Sequence, residues 1–295
     1  MPITNNDHGG SQFEVLTVIR NILESNRRKP MAEDTIVAWC RPETLASGDS
    51  ARSKVAKEIN AWKSLGLFSQ TEEGLVLNNN FFSDINVPTP TGARRCLLAG
   101  ENNLDLDARD QRAVDLTKLV CMILSLDVYK HPEISSNKLV DIVNTYLSTF
   151  RINTNETPIV PNYLHWLGYV ARIGNGSYTI DPTVAIKEEL LAPENAFEKN
   201  KQFTIEGFLQ LLAKRLPVID GGTYRQHVEQ SINSKNWSKP SASELSTSLS
   251  RALLRLHHSG TIQLQKLSDA GLRNLKGPDN KVLMSVTHVT VLGEK

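Results

Sequence analysis

Three glycines, Gly66, Gly168 and Gly260, sit in the same local pattern, and that repetition constrains the chain more than any other feature. Four residues before each stands an apolar residue (Trp62, Leu164, Leu256), and two residues after each stands another (Phe68, Val170, Ile262). A glycine can take positive φ without a steric cost, so it closes a helix and lets an extended run begin at once. The first copy is the clearest. Val55, Ile59, Trp62 and Leu65 form a helical apolar stripe, and Arg52, Lys54, Lys57, Asn60 and Lys63 lie on the other face. Glu73-Gly74 then gives a turn and Leu75-Val76-Leu77 a returning strand. In the second copy the turn is Gly174-Asn175-Gly176, followed by the strand Ser177 to Ile180. In the third, a strand from Thr261 to Leu267 is followed by a polar excursion through Gly277-Pro278-Asp279-Asn280 and a strand-rich stretch, Lys281 to Leu292.

Helix, glycine, hydrophobic pair and hairpin make the outline of a winged helix-turn-helix, whose third helix can enter a DNA major groove. Solenoid repeats recur every ~20 to 50 residues. The glycines here are 102 and 92 residues apart, which predicts separate domains. The expected fold is mainly α with small β-hairpins (α+β), as three tandem winged helix-turn-helix modules: 1–82, 113–195, and 196–295 with an enlarged wing. Residues 83–112, with VPTPTGARR and AGENNLDLDARDQR, show little periodicity and read as a linker. Arg94-Arg95 within it reads as a solvated pair or a DNA contact.

Helical periodicity predicts helices over 12–23, 32–40 and 50–68, with Pro42 stopping the second and Ser47 to Ser50 capping the third. Further helices are expected over 113–128, apolar on most sides and so buried, and over 134–150. Pro158 and Pro161 confine the next to 162–167. In the last module helices are expected over 203–216, 224–232 and 241–258. Residues 1–11 read as a flexible lead.

No run approaches the ~18 apolar residues of a membrane span, and the N-terminal residues lack the apolar run of a secretory signal. A cytoplasmic location and no membrane contact are therefore expected. Cys40, Cys96 and Cys121 are odd in number and without CxxC spacing, against a disulfide framework or zinc site. No HExxH, GxSxG or phosphate-binding loop occurs, so neither a cofactor, a metal nor an enzymatic activity is expected. Net charge is +1 overall, but Lys201 to Lys276 holds eleven Lys or Arg against five Asp or Glu. That third is either an electrostatic footprint for phosphate or an ordinary mixed surface.

Double-stranded DNA is the partner these features suggest. The candidate contacts on the first reading helix are Arg52, Ser53, Lys54, Lys57 and Asn60, since Arg and Asn make bidentate contacts with bases and Lys neutralises phosphates. On the helix 241–258, Leu245, Leu249, Leu253 and Leu256 form the core stripe. Ser246, Thr247, Ser250 and Arg251 are expected to face away as a hydroxyl-rich phosphate-lining surface. Lys266, Arg273, Lys276 and Lys281 would make a basic wing, or lie in a disordered loop. The middle module lacks a Lys/Arg cluster, which points it to a protein partner. The competing reading is an adaptor without direct DNA binding, like the winged-helix subunits of bacterial condensin-type ATPases, docking a partner or a second copy to form a homo-oligomer.

The N-terminal helix set leading into EINAWKSLGLF, with the later LPVIDGGTYR, resembles the DpdG family, within the broader class of tandem winged-helix bacterial proteins. Members are accessory components encoded with systems that insert and police 7-deazapurine bases in DNA. The resemblance implies a role in DNA modification, restriction or phage defence among the proteins of a multi-subunit system. It implies no reaction and carries over no functional residues.

Overall fold

The computed structural model describes residues 12–41, 49–108, 111–147, 159–193, 197–233, 235, 237–267 and 271–293. The expected lead over 1–11, the stop at Pro42, the residues Ser47 and Gly48 of the expected cap, and Pro158 lie outside them.

The three glycines organise the observed fold as their sequence pattern implies. Gly66, Gly168 and Gly260 have φ of +88°, +81° and +76°. After each, the next N–H reaches back five residues: Leu67 to the Trp62 carbonyl (2.9 Å), Tyr169 to Leu164 (2.8 Å) and Thr261 to Leu256 (3.0 Å). This bond pairs a carbonyl the helix end would otherwise leave open, and the apolar side chain four before each glycine is buried in the core. Phe68, Val170 and Ile262 then begin a strand in each copy.

The first two glycines belong to larger repeats of common topology, helix, short strand, two helices and hairpin, and the third belongs to a related unit with one more helix and a separate hairpin inserted before its last strand. In the first, α1 (Phe13–Ser25) precedes a one-residue bridge, Met31 to Leu75, then α2 (Glu33–Cys40), α3 (Asp49–Ser64), β1 (Phe68–Thr71) and β2 (Gly74–Leu77). After α4 (Thr89–Leu98), the second repeat runs α5 (Val114–Ser125), β3 (Ile134–Ser135), α6 (Ser136–Tyr146), α7 (Val160–Trp166), β4 (Val170–Gly174) and β5 (Ser177–Ile180), with sheet order β3-β5-β4. In the third come α8 (Thr183–Leu191), β6 (Gln202–Thr204), α9 (Ile205–Arg215), α10 (Thr223–Glu229), α11 (Thr247–His258) and β7 (Ile262–Gln265). A separate hairpin follows, β8 (Arg273–Lys276) with β9 (Val282–Val286), before β10 (His288–Val291) closes the sheet in the order β6-β10-β7. In all three, the short first strand pairs antiparallel with the returning strand. The result is a mixed α+β fold of helices and small antiparallel sheets.

Two sequence expectations are corrected here. The segment 83–112 contains a buried helix, α4, where an extended linker was expected. Its Arg94 is 1% exposed and bonds Glu188 (2.9 Å), Glu189 (3.2 Å) and the Leu167 carbonyl (2.9 Å), while Arg95 pairs with Glu189 (3.0 Å). These arginines are neither solvated nor free for DNA. An ion cluster this deep is tolerated because each charge meets an opposite one with directed hydrogen bonds. The repeats also do not form separate cores. Buried apolar residues make one cluster from Phe13 to Val291. Across it Phe13 packs edge-on to Tyr163 (4.4 Å) and stacks on Trp166 (4.6 Å), and the Tyr224 hydroxyl donates to the Leu98 carbonyl (3.0 Å). As expected, α5 is buried all round.

Candidate nucleic-acid interface

Helix α3 turns one face inward and one outward, and residue spacing dictates the division. At 100° per residue, Val55, Glu58, Ile59 and Trp62 fall on one side, and all are buried. Ser53, Lys54, Lys57 and Asn60 fall on the opposite arc, roughly 120° wide by the same geometry, and all are exposed. Ser64 completes that arc four residues beyond Asn60, a position the 3.6-residue period marks and the sequence reading did not single out. Among the described residues neither Lys54 nor Lys57 enters an ion pair. Lys63, one step off the arc, is held by Glu33 of α2. Arg52 is half-buried and engaged in contacts of its own.

Packing, not propensity, holds this face in place. Trp62 is fully buried, and its indole N–H donates to Glu58 Oε1 (2.9 Å), whose Oε2 accepts the Gln12 N–H (3.2 Å). Burial pushes the Glu58 carboxyl up to about 8, against the pull of those two donors, with Glu14 adding to the rise. A carboxyl held that high is largely neutral at pH 7, so no negative charge lies beneath the lysines. The hairpin is different: its turn carries Glu72 and Glu73, both exposed. Any phosphate contact in this repeat therefore belongs to the helix and not to the hairpin tip.

The second predicted face is not on the surface. Ser246, Thr247 and Ser250 are 3%, 7% and 0% exposed. Ser246 caps α11, accepting the Leu249 N–H (3.3 Å) and donating its hydroxyl and its own N–H to Asp220 (2.7 and 2.6 Å). The Thr247 hydroxyl accepts the Val128 N–H (3.0 Å), and Ser250 accepts the N–H of Lys276 (2.8 Å). Arg251 lies over the Tyr129 ring (5.2 Å) and donates to Thr179 (3.1 Å) and the Ile180 carbonyl (3.2 Å). Thr247 and Arg251 fasten the third repeat to the second, while Ser246 and Ser250 are used up within the third, which corrects the expectation of a solvent-facing hydroxyl surface. The expected basic wing is likewise drawn inward. Arg273 pairs with Glu206 (2.5 Å) and Lys276 with Glu244 (2.6 Å), and the excursion forms the β8–β9 hairpin in place of a loop. Lys266 and Lys281 remain exposed.

Among the described residues no group of three or more His, Cys, Asp or Glu is placed to hold a metal ion, and no helix is long and apolar enough to cross a membrane. Burial raises all three cysteine thiols, Cys40 to about 11, which leaves them poor nucleophiles. A protein-family model described as DpdG-like matches residues 1–270. No curated protein and no solved structure matches.

Proposed function

From the premise that the chain belongs to the DpdG-like family, and so is associated with the Dpd DNA-modification system, we propose that it is a non-catalytic DNA-binding subunit of that system. Each repeat is read as a winged helix-turn-helix, supported in the first two by the order of helix, short strand, two helices and hairpin, to which the third adds α10 and the β8–β9 hairpin, and in all three by the pairing of the first strand with the last. The first repeat alone carries the DNA contact, through Ser53, Lys54, Lys57 and Asn60, with Arg52 at the edge. The observation behind this is the exposed, uniformly non-acidic arc of α3, whereas Ser246, Thr247 and Ser250 of α11 are buried. Lysines on such an arc would neutralise phosphates, and Asn60 would offer an amide to a base edge.

The second and third repeats then form a rigid base that presents α3 and leaves their outer surfaces for protein partners. Ile173 in the second hairpin and Val184 on α8, 56% and 53% exposed, favour such a partner, and with Trp39 on α2 of the first repeat they are also what the adaptor reading would use. Fluorescence anisotropy with a labelled duplex separates the two. Lys54→Ala with Lys57→Ala should weaken duplex binding by tenfold or more while leaving the melting temperature unchanged. An unchanged affinity, or no binding by the wild-type chain at low salt, would transfer the reading to the adaptor.

A further inference from the structure

The second and third repeats enclose a cavity of about 250 Å³ that has no part in the α3 reading. It opens beside the turn after α5, where Lys130 is exposed and without an ion pair among the described residues. Lys239 also lines it, with its amine 3.0 Å from Glu229 and its side chain 64% exposed. Deeper in, Lys276 is paired with Glu244 (2.6 Å), and Asp127 supplies a second carboxylate to the lining.

One wall is aromatic and fixed. His131 Nε2 and the Tyr146 hydroxyl are 2.9 Å apart in a hydrogen bond, their rings edge to face at 5.4 Å. Burial holds His131 below its ordinary pKa, so near neutrality it brings a donor and an acceptor but no charge. Trp237 is pinned by its indole N–H, which donates to the Ser125 carbonyl (2.9 Å).

This combination selects a ligand class. A bare anion would suit the lysines but meet Asp127 and Glu244, and a cation would meet the lysines. A nucleotide has both parts, a phosphate for ammonium groups and a heteroaromatic ring with N–H donors and sugar hydroxyls for carboxylates and aromatic walls. The volume lies just below the ~300 to 1,000 Å³ typical of small-molecule sites, which suits one nucleotide unit and excludes a dinucleotide cofactor. We propose that this cavity binds a single phosphorylated nucleoside, its phosphate at Lys130 and Lys239 and its base beside Tyr146 and Trp237. Such a unit could be free or the 5′-phosphorylated end of a strand.

Isothermal titration of the full chain tests this with AMP and GMP, with adenosine and inorganic phosphate separately, and with a short oligonucleotide with and without a 5′-phosphate. A nucleoside monophosphate, the phosphorylated oligonucleotide or both should bind at least tenfold more tightly than adenosine, phosphate or the unphosphorylated strand. Which of the two binds identifies the source. Lys130→Ala, an exposed change that should leave folding intact, should weaken that binding roughly tenfold to a hundredfold, the worth of a charge-assisted bond. The same variant should leave duplex affinity unchanged, so failure here is distinct from failure of the α3 reading. The proposal is overturned by no detectable heat with any phosphorylated probe at millimolar concentration, or by an affinity indifferent to Lys130→Ala.

Discussion

Replacing Glu58 with Gln should make the protein less stable at pH 4 and more stable at pH 8, so that the two stability curves cross near about pH 5. The side chain is 0% exposed, and burial pushes its pKa from 4.5 to about 8. A folded-state pKa above the unfolded value means that the folded state binds the proton more tightly. The stability this contributes is fully present below pH 4.5 and is lost as pH rises through about 8. At about 1.4 kcal/mol per unit, the loss amounts to on the order of 3 kcal/mol by pH 7 and about 4 by pH 8, a sizeable part of a typical total. The substitution has its own cost. A Gln carbonyl can accept from the Trp62 indole, but the amide nitrogen would face the Gln12 N–H, forfeiting one hydrogen bond worth about 1 kcal/mol. Urea midpoints at half-unit steps from about pH 4 to about pH 8.5 measure both effects. Glu133 and Glu244, whose pKa values are lowered, lose stability as pH falls, and so does His131, but these are common to both proteins and cancel in the difference. Parallel curves would show that the Glu58 carboxyl is not the proton-sensitive group inferred here.

Three further outcomes follow from buried contacts. Arg94→Ala leaves the fully buried Glu189 with Arg95 alone and takes the guanidinium from Glu188 and the Leu167 carbonyl, and should cost about 3 to 5 kcal/mol in chemical denaturation, whereas an exposed pair such as Lys138 with Glu133 should cost under about 1 kcal/mol. Gly168→Ala should be more damaging than Gly66→Ala in thermal melts. Both positions have positive φ, but a Cβ at 168 would lie 2.8 Å from the Ala185 nitrogen and one at 66 meets nothing within 4 Å. Ser250→Ala should cost about 1 to 3 kcal/mol by orphaning the Lys276 N–H, with no change in duplex affinity, whereas Lys57→Ala should do the reverse.

The parts of this fold that were legible in the sequence are those decided locally. Gly66, Gly168 and Gly260 announce a helix end because the left-handed cap involves only neighbours, and the apolar steps of α3 identify its buried side without reference to the rest of the chain. What failed depended on partners far away. The Ser, Thr and Arg positions of α11 have the spacing of a solvated face, and nothing local distinguishes water from Asp220, Val128 and Thr179 as their partners. Helix α4 was missed because Thr-Pro-Thr-Gly-Ala-Arg-Arg has weak helical propensity and its stability comes from packing. The doublets Arg94-Arg95 and Glu188-Glu189 were complementary signals, but only the folded chain brings them together. The cavity beside Lys130 drew on four separate stretches and had no linear signature at all.

The most direct test of the account is the salt dependence of duplex binding by the purified chain, compared with the Lys54→Ala, Lys57→Ala double variant. Each phosphate neutralised contributes a slope of about −0.9 in log affinity against log salt. The double variant should lose roughly two such contacts, flattening the slope by about 1.8, with weakening that is similar across duplex sequences. An unchanged slope would contradict it, because the exposed arc of α3 would then not be where this protein meets DNA.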